Sequence, residues 1–255
     1  MNNSLNKNLE NLVNICHSNL KNSKECISYL KNRGMTRALI KQNKIGFFPQ
    51  NIGILKKYIP EELLLKLNIA RISSGSDFSE YFYLTFPIFS EHNEVVGISG
   101  RSLLSESDRK VLGIPKYKNS SYKKSEVLYG LNNSKKSILK SQNVYIVEGY
   151  FDYLSMVRSG IENCVAICGT AFSKNHFLRL ARYSEKMTFI LDSDEAGKKA
   201  SDRIYSKFIN KGIKLRFLNL PEPFKDVDEY LSDIGQISDI AFQENLSEYL
   251  PEIWQ

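Results

Sequence analysis

The sequence has few cysteines and no long apolar segment. Cys16, Cys26, Cys164 and Cys168 form no Cys-x-x-Cys pair, so we expect no zinc site. No apolar run approaches the roughly eighteen residues of a membrane-spanning helix, and residues 1–10 are polar, without the apolar core of a secretory signal. These absences argue against a membrane or secreted protein and lead us to expect a cytoplasmic one with no membrane partner.

Positive charge is concentrated in the first half of the chain. Residues 1–139 contain 21 Lys and Arg against 11 Asp and Glu, whereas residues 140–255 contain 14 against 17. A basic region next to an acidic one suits an enzyme that holds a phosphate backbone with cations and a metal ion with carboxylates. A Lys-rich surface that only keeps the protein in solution is the alternative.

Two short apolar runs each stop at a carboxylate and continue into a helical pattern. Glu148 follows the first run, with Asp152 one helical turn later, and Asp192 follows the second. Asp194 lies two residues beyond Asp192, so both side chains leave an extended strand on the same face. Carboxylates clustered at strand ends repel one another unless a cation is present. We therefore predict that one oxygen-ligated metal ion contacts all four.

Each of these acids also has a purely structural interpretation. Asp194 or Ser193 could cap the helix that begins near Glu195, and Asp152 could lie in the first turn of a helix, where negative charge is favourable.

The hydrophobic periodicity predicts an α/β fold, in which a basic α+β N-terminal subdomain precedes a mostly parallel sheet flanked by helices. We place these at residues 1–139 and 140–222, with a short C-terminal helical segment at 223–255. Residues 82–100 are predicted to form a hairpin and the Ser-rich residues 105–126 a loop. Later strands are predicted over 144–147, 164–167, 187–191 and 214–218, and helices over 151–159, 173–183 and 195–210.

Several short motifs resemble those of a known family. Residues 148–152 (EGYFD) and 192–197 (DSDEAG) are similar to the EGYxD and DxDxAG signatures of the Toprim fold. Residues 115–120 (PKYKNS) and 128–131 (LYGL) resemble motifs of bacterial DnaG-type DNA primases. The resemblance runs from about Cys26 to about Leu231 and includes, in the same order, residues 86–88 (FPI), 97–101 (GISGR) and 169–172 (GTAF).

The resemblance implies synthesis of short RNA primers from NTPs on a single-stranded DNA template. It implies that Glu148, Asp192 and Asp194 are catalytic and hold Mg²⁺, with Mn²⁺ as a substitute. A general-base role for Glu148 is equally compatible with the motif. Further metal-associated residues implied by the resemblance are Asp152, Asp226 and Asp228, and the implied nucleotide or DNA contacts are Arg33, Arg101, Lys116, Tyr117, Asn119 and Lys124.

Asp226 and Asp228 lie in a segment similar to the family's KDPDE motif, with Val227 where proline is usual. The alternative is that Asp228 caps a helix over residues 229–233. His176, in the helix that follows the GTA motif, is interpreted as a packing residue and is left out of the active site.

Other features depart from the family. Residues 80–85 (EYFYLT) lack the arginine that often precedes the FPI motif, which removes one expected basic contact. We find no counterpart of the family's zinc-binding and helicase-binding domains. A separate zinc-binding module is therefore a candidate partner, and a replicative helicase is a candidate only if it is recruited by a route other than the family's usual one. Two other functions use similar residues: a Toprim-type DNA nuclease, and a non-catalytic nucleic-acid-binding scaffold.

Overall fold

The computed structural model describes residues 2–71, 75–169, 171–235, 242 and 246–249. The chain divides into two compact units, Met1–Lys123 and Lys124–Gln255, called here the N-terminal unit and the C-terminal unit. No helix within the described ranges combines the length and apolarity needed to cross a membrane.

The N-terminal unit contains a four-stranded antiparallel sheet in the order β1-β2-β3-β4. The predicted hairpin over 82–100 is confirmed, since β2 and β3 pair antiparallel with Phe86 opposite Ser99. The strands are β1 (Gly46–Phe47), β2 (Leu84–Phe89), β3 (Val95–Arg101) and β4 (Tyr117–Asn119), and the helices are α1 (Asn2–Asn19), α2 (Lys24–Asn32), α3 (Arg37–Gln42), α4 (Gly53–Lys56), α5 (Glu61–Lys66), α6 (Asp77–Glu80) and α7 (Glu106–Leu112).

One amphipathic helix organises the core of this unit. The apolar residues Leu9, Leu12 and Val13 of α1 recur at helical spacing and are buried, so they form a single stripe. That stripe belongs to the same hydrophobic cluster as Phe48 and Ile98. Burial of this stripe stabilises the packing of α1 on the rest of the unit.

The prediction of a loop over residues 105–126 is wrong. Ser105 caps α7, its Oγ accepting a hydrogen bond from the backbone N–H of Asp108 at 3.1 Å. Gly113, with a φ of 64°, ends the helix in the left-handed conformation. Strand β4 follows and pairs with β3, Tyr117 lying opposite Arg101. Ser105, one of the serines that suggested a loop, instead begins a helix.

The C-terminal unit is built on a five-stranded sheet in the order β6-β5-β7-β8-β9. The first four strands are parallel and β9 is antiparallel to β8, which confirms the predicted mostly parallel sheet. The strands are β5 (Asn143–Val147), β6 (Cys164–Ala166), β7 (Lys186–Phe189), β8 (Lys214–Asn219) and β9 (Ser247–Tyr249), and the helices are α8 (Leu131–Ser141), α9 (Tyr150–Arg158), α10 (Lys174–Leu180), α11 (Glu195–Phe208) and α12 (Val227–Ile234).

The predicted domain boundary at 139/140 falls inside α8. Along the chain, the boundary between the two compact units instead lies between Lys123 and Lys124. Gly130 begins α8 with a φ of 85°, and an added Cβ there would lie 2.1 Å from Cε2 of Tyr153 in α9. Because α8 packs this closely on the parallel-sheet unit, it belongs to that unit. Similarly, α12 packs on α9, so the described part of the predicted C-terminal segment joins the same unit.

Aromatic rings fill the core of the C-terminal unit. Phe189 of β7 and Phe217 of β8 stack with their centroids 5.1 Å apart. Phe177 of α10 stacks on Phe208 of α11 at 4.7 Å, and Phe172 meets Phe208 edge-on at 5.6 Å. Because all five rings belong to one hydrophobic cluster, they hold α10 and α11 against the sheet.

Candidate active site

Two carboxylates meet at the carboxyl edge of the parallel sheet. Glu148 follows β5 directly, and Asp192 follows β7 after two further residues. These strands are parallel neighbours, with Ile146 opposite Phe189, so their carboxyl ends lie side by side. The backbone N–H of Asp192 donates a hydrogen bond to Oε1 of Glu148 at 3.0 Å. The structure thus brings together the two acid-ended runs of the sequence.

The electrostatics of this pair favour a cation. Burial raises the pKa of Glu148, and the nearby Asp194 raises it further, against the opposing effect of the Asp192 N–H. Burial also raises the pKa of Asp192 to about 7, with further contributions from Glu148, Asp152 and Asp226. These carboxylates resist ionisation because they are partly desolvated and repel one another. A bound cation would relieve both effects.

Asp194 has the capping role that its position allowed. Its Oδ1 accepts a hydrogen bond from the backbone N–H of Gly197 at 2.9 Å, and its side chain is exposed at the start of α11. Position 197 requires glycine, because the start of α11 packs closely on the backbone of Asp192: an added Cβ would lie 2.0 Å from the carbonyl oxygen of Asp192. The glycine that ends the DSDEAG motif therefore lets α11 begin directly against the acidic loop.

Asp152 and Asp228 form a buried network beneath this edge. Asp152, only 6% exposed, accepts hydrogen bonds from the backbone N–H groups of Gly149 at 2.7 Å and of Asp228 at 3.1 Å. Ser155 donates its hydroxyl to Oδ1 of Asp228 at 2.5 Å. Burial, with repulsion from Asp226, raises the pKa of Asp152 to about 7. The network ties α9 to α12.

Asp226, rather than Asp228, is the N-cap of α12. Its Oδ1 accepts a hydrogen bond from the backbone N–H of Glu229 at 2.8 Å. The helix begins at Val227, two residues earlier than in the alternative interpretation, because Asp226 has the extended backbone conformation of a cap. Asp228 is then in the first turn and turns inward to the Asp152 network.

In this structure the four predicted ligands Glu148, Asp152, Asp192 and Asp194 do not surround a single point. In the described ranges, no three acidic, histidine or cysteine side chains converge closely enough to enclose a metal ion. The reason is that both oxygens of Asp152 are engaged by backbone N–H groups below the edge. Mg²⁺, however, often binds through one or two carboxylates and retains several waters. The partly exposed, mutually repelling pair Glu148 and Asp192 fits that more open mode.

Arg101 is sandwiched between aromatic rings in the N-terminal unit. Its guanidinium carbon lies 5.2 Å from the ring centroid of Tyr29 and 5.1 Å from that of Tyr117, and Nη1 donates to the hydroxyl of Tyr117. The guanidinium carbon of Arg33 also lies over the ring of Tyr29, 5.5 Å from its centroid. Three of the predicted nucleic-acid residues, Arg33, Arg101 and Tyr117, therefore form one cluster.

Tyr29 is the member of this cluster that sequence reasoning missed. It lies on α2, four residues before Arg33, a spacing that brings two side chains together on a helix. That spacing was the only local signal, since the contact with Arg101 joins residues far apart in sequence.

The remaining predicted contacts are Lys116, Asn119 and Lys124. Lys116 is exposed immediately before β4, and Oδ1 of Asn119 accepts from the hydroxyl of Tyr122 at 3.2 Å. Lys124 begins the C-terminal unit, and its carbonyl oxygen lies 3.0 Å from Nε2 of the buried His176. His176 thus has the packing role expected of it.

Comparisons with known proteins identify both units. A Toprim-like family model matches residues 145–231, and a model described as the N-terminal domain of the DNA primase catalytic core matches residues 15–135. The chain is 34% identical over 224 residues to the DNA primase of Rickettsia felis, an alignment that covers 83% of this chain and 36% of that protein. The chain therefore spans about a third of the length of this relative.

Solved structures of primases also resemble this chain. The Aquifex aeolicus primase structure, with its zinc-binding and RNA polymerase domains, superposes with a TM-score of 0.83 at 27% identity, covering 96% of this chain and 61% of that one. A DnaG primase catalytic domain bound to single-stranded DNA gives 0.77 at 25% identity, with 96% and 80% coverage. A Toprim-type sheet with acidic strand ends is thus joined to a primase-type N-terminal unit. The chain belongs to the DnaG-type DNA primase family.

Proposed function

We propose that this protein synthesises short RNA primers on single-stranded DNA by metal-assisted nucleotidyl transfer. The observation that carries the proposal is the meeting of Glu148 and Asp192 at the carboxyl edge of the sheet, joined by a 3.0 Å hydrogen bond. Membership of the primase family supports template-directed transfer as the reaction. In this reaction a 3′-hydroxyl attacks the α-phosphate of an incoming NTP, and pyrophosphate leaves.

The proposed ligands of the metal are Glu148 and Asp192, and Asp194 adds negative charge beside them. When bound, Mg²⁺ lowers the pKa of the attacking hydroxyl and neutralises charge that builds on the phosphoryl oxygens. Oε1 of Glu148 is held by the backbone of Asp192, so the glutamate is oriented before any ligand arrives. Asp152, Asp226 and Asp228 contribute negative charge near this edge and connect its loops to α12.

The N-terminal unit supplies the positive charge for the template. Residues 1–123 carry 18 Lys and Arg against 10 Asp and Glu, whereas residues 124–255 carry 17 against 18. The proposed nucleotide or DNA contacts are Arg33, Arg101, Lys116, Tyr117, Asn119 and Lys124. A related catalytic domain has been solved with single-stranded DNA, which supports the same class of template here.

The test combines the purified chain with mixed-sequence single-stranded DNA, four NTPs of which one is labelled, and Mg²⁺ or Mn²⁺. Glu148→Gln and Asp192→Asn are compared with Glu185→Gln, an exposed acid in the turn before β7. We expect short labelled RNA from the wild type and from Glu185→Gln and none from the other two. Product from Glu148→Gln at the wild-type rate would contradict the proposal.

End-labelled template in the same reactions distinguishes the alternatives. Loss of template without NTPs would identify a nuclease, and tight DNA binding without product or cleavage would identify a scaffold. The proposal places the reaction in the cytoplasm. It includes a replicative helicase or a separate zinc-binding module as partners, and adding each to the assay measures its effect on primer yield.

A further inference from the structure

A pocket of about 780 Å³ lies along α11 and opens beside the acidic edge of the sheet. Its walls are mostly apolar and include Ile167, Phe172 and Ile204. Glu148 lines one part of it and the cations Arg203 and Lys207 line another. None of the motifs discussed above accounts for these two basic residues.

Arg203 and Lys207 point to an anionic ligand. They are four residues apart on α11, so they share one face of the helix, and both are exposed. Lys207 contacts the ring of Phe208, with Nζ 5.4 Å from its centroid. Neither residue has an acidic partner in the described part of the C-terminal unit. Apolar walls can bind a flat ring, and two cations without acidic partners can bind a phosphate chain, so the pocket suits a ligand that has both.

The position of Arg203 along α11 indicates which nucleotide's phosphates would contact these two cations. Arg203 lies nine residues beyond Asp194, a distance of roughly 13 Å along the helix axis at about 1.5 Å per residue. That is longer than the triphosphate of a nucleotide whose α-phosphate is at the carboxylates, but close to the span from the 3′-hydroxyl to the terminal phosphate of an extended nucleoside triphosphate. A nucleotide with its 3′-hydroxyl at Glu148 would carry its 5′-phosphates to Arg203.

We infer that this pocket holds the first nucleotide of the primer. Its 3′-hydroxyl faces Glu148, its base and ribose lie against the apolar wall, and its 5′-triphosphate, which is not consumed, contacts Arg203 and Lys207. The inference rests on the proposed function and extends it, because it assigns the initiating nucleotide to a site separate from that of the incoming one.

The test compares initiation with extension. The double variant R203Q/K207Q is assayed for dinucleotide formation with an initiating nucleotide supplied as triphosphate or monophosphate, and for extension of an annealed RNA with a 5′-hydroxyl. We expect the KM of the initiating triphosphate to rise about tenfold, as loss of two exposed charge contacts implies. The KM of the monophosphate and the rate of extension should stay unchanged. The control K198Q/K211Q removes the same charge from exposed positions that do not line the pocket and should match the wild type.

A second variant tests the pocket itself. Ala200→Leu places a larger side chain on the pocket wall and should raise the KM of initiating triphosphate and monophosphate alike, again sparing extension. If R203Q/K207Q raised the KM of the triphosphate and of the monophosphate equally, the inference would be overturned. Weaker affinity for single-stranded DNA, with unchanged KM values, would also overturn it and would assign the cations to the template backbone.

Direct binding separates this inference from the proposed function. If the wild type makes no primers at all, the proposed function fails, but binding of ATP and AMP in the absence of template can still be measured. We expect the wild type to prefer ATP, and R203Q/K207Q to lose that preference while K198Q/K211Q keeps it. An unchanged preference in R203Q/K207Q would refute the assignment of the triphosphate to these cations.

Discussion

The backbone N–H of Asp192 donates a hydrogen bond to Oε1 of Glu148 at 3.0 Å, joining the ends of two neighbouring parallel strands. One carboxylate oxygen is thereby held by the main chain of the neighbouring loop. The charge of Glu148 remains close to those of Asp192 and Asp194, and its pKa is raised. The pair is therefore both oriented by the fold and electrostatically unfavourable without a cation.

Glu148→Gln is expected to separate these two properties. Glutamine retains an oxygen that can accept from the Asp192 N–H, so the fold should persist, whereas the negative charge is lost. We expect primer synthesis to fall by at least about 100-fold, the order of loss when a preorganised electrostatic group is removed. Rates on a primed and an unprimed template measure the effect. A midpoint of thermal unfolding in EDTA below that of the wild type would contradict this account, since removing the charge relieves repulsion.

Divalent cation should stabilise the wild-type protein. A ligand that binds only the folded state raises stability by RT ln(1 + [L]/Kd), about 2.7 kcal/mol at a concentration of 100 Kd. We expect the unfolding midpoint to rise with Mg²⁺ or Mn²⁺, followed by scanning calorimetry. The double variant E148Q/D192N should show no such rise; an equal rise in this variant would place the cation elsewhere.

Gly197→Ala is expected to destabilise the protein and lower its activity together. The added Cβ would lie 2.0 Å from the carbonyl oxygen of Asp192, so α11 or the acidic loop must shift. Overpacking of this kind costs about 1–3 kcal/mol, measurable by urea denaturation. Lys198→Ala, at the next and exposed position, is the matched control and should unfold at the wild-type midpoint or slightly above it.

Lys116→Gln should weaken binding of single-stranded DNA through salt-dependent electrostatics. Lys116 is exposed beside β4, and a lysine that contacts one phosphate contributes about 0.7 to the slope of log K against log salt on a single strand. We expect that decrease in slope by fluorescence anisotropy, with unchanged thermal stability. Lys57→Gln, an exposed lysine just after α4, should leave the slope unaltered; equal effects would indicate a diffuse charge contribution.

The buried His176 predicts a dependence of stability on pH. Its Nδ1 accepts from the backbone N–H of Ser173 at 3.2 Å, and Nε2 donates to the carbonyl of Lys124 at 3.0 Å, which requires the neutral ring. Burial lowers the pKa of His176. Because the unfolded state binds the proton more readily, the contribution of His176 is fully present above about pH 6.5 and is lost as pH falls towards the folded-state pKa.

His176→Gln should therefore lose less stability than the wild type between pH 7 and pH 5, while being less stable at pH 7. Denaturant titrations at both pH values measure the difference. His92→Gln, whose side chain is 72% exposed, is the control and should follow the wild type. Parallel pH profiles for His176→Gln and the wild type would mean that His176 does not titrate on unfolding.

Elements formed from local patterns were predicted well. The run predicted as strand 144–147 is β5, Asn143–Val147, and the helix predicted over 195–210 is α11, Glu195–Phe208. The errors arose where one residue type serves two structures. Ser105 and Gly113 are typical of loops but here begin and end α7, and of two aspartates near the start of α12 the first is the cap.

The sequence by itself determined the class of the C-terminal unit, because an apolar run that ends in an acid and turns into a helix constrains backbone, burial and chemistry at once. Only the tertiary structure decided which acids meet. Strand order brings Glu148 to Asp192, whereas the packing of α12 on α9 directs Asp152 and Asp228 into a buried network. The same holds for Tyr29 against Arg101 and for the pocket beside Arg203, since contacts between residues distant in sequence depend on how whole elements pack, which local spacing does not encode.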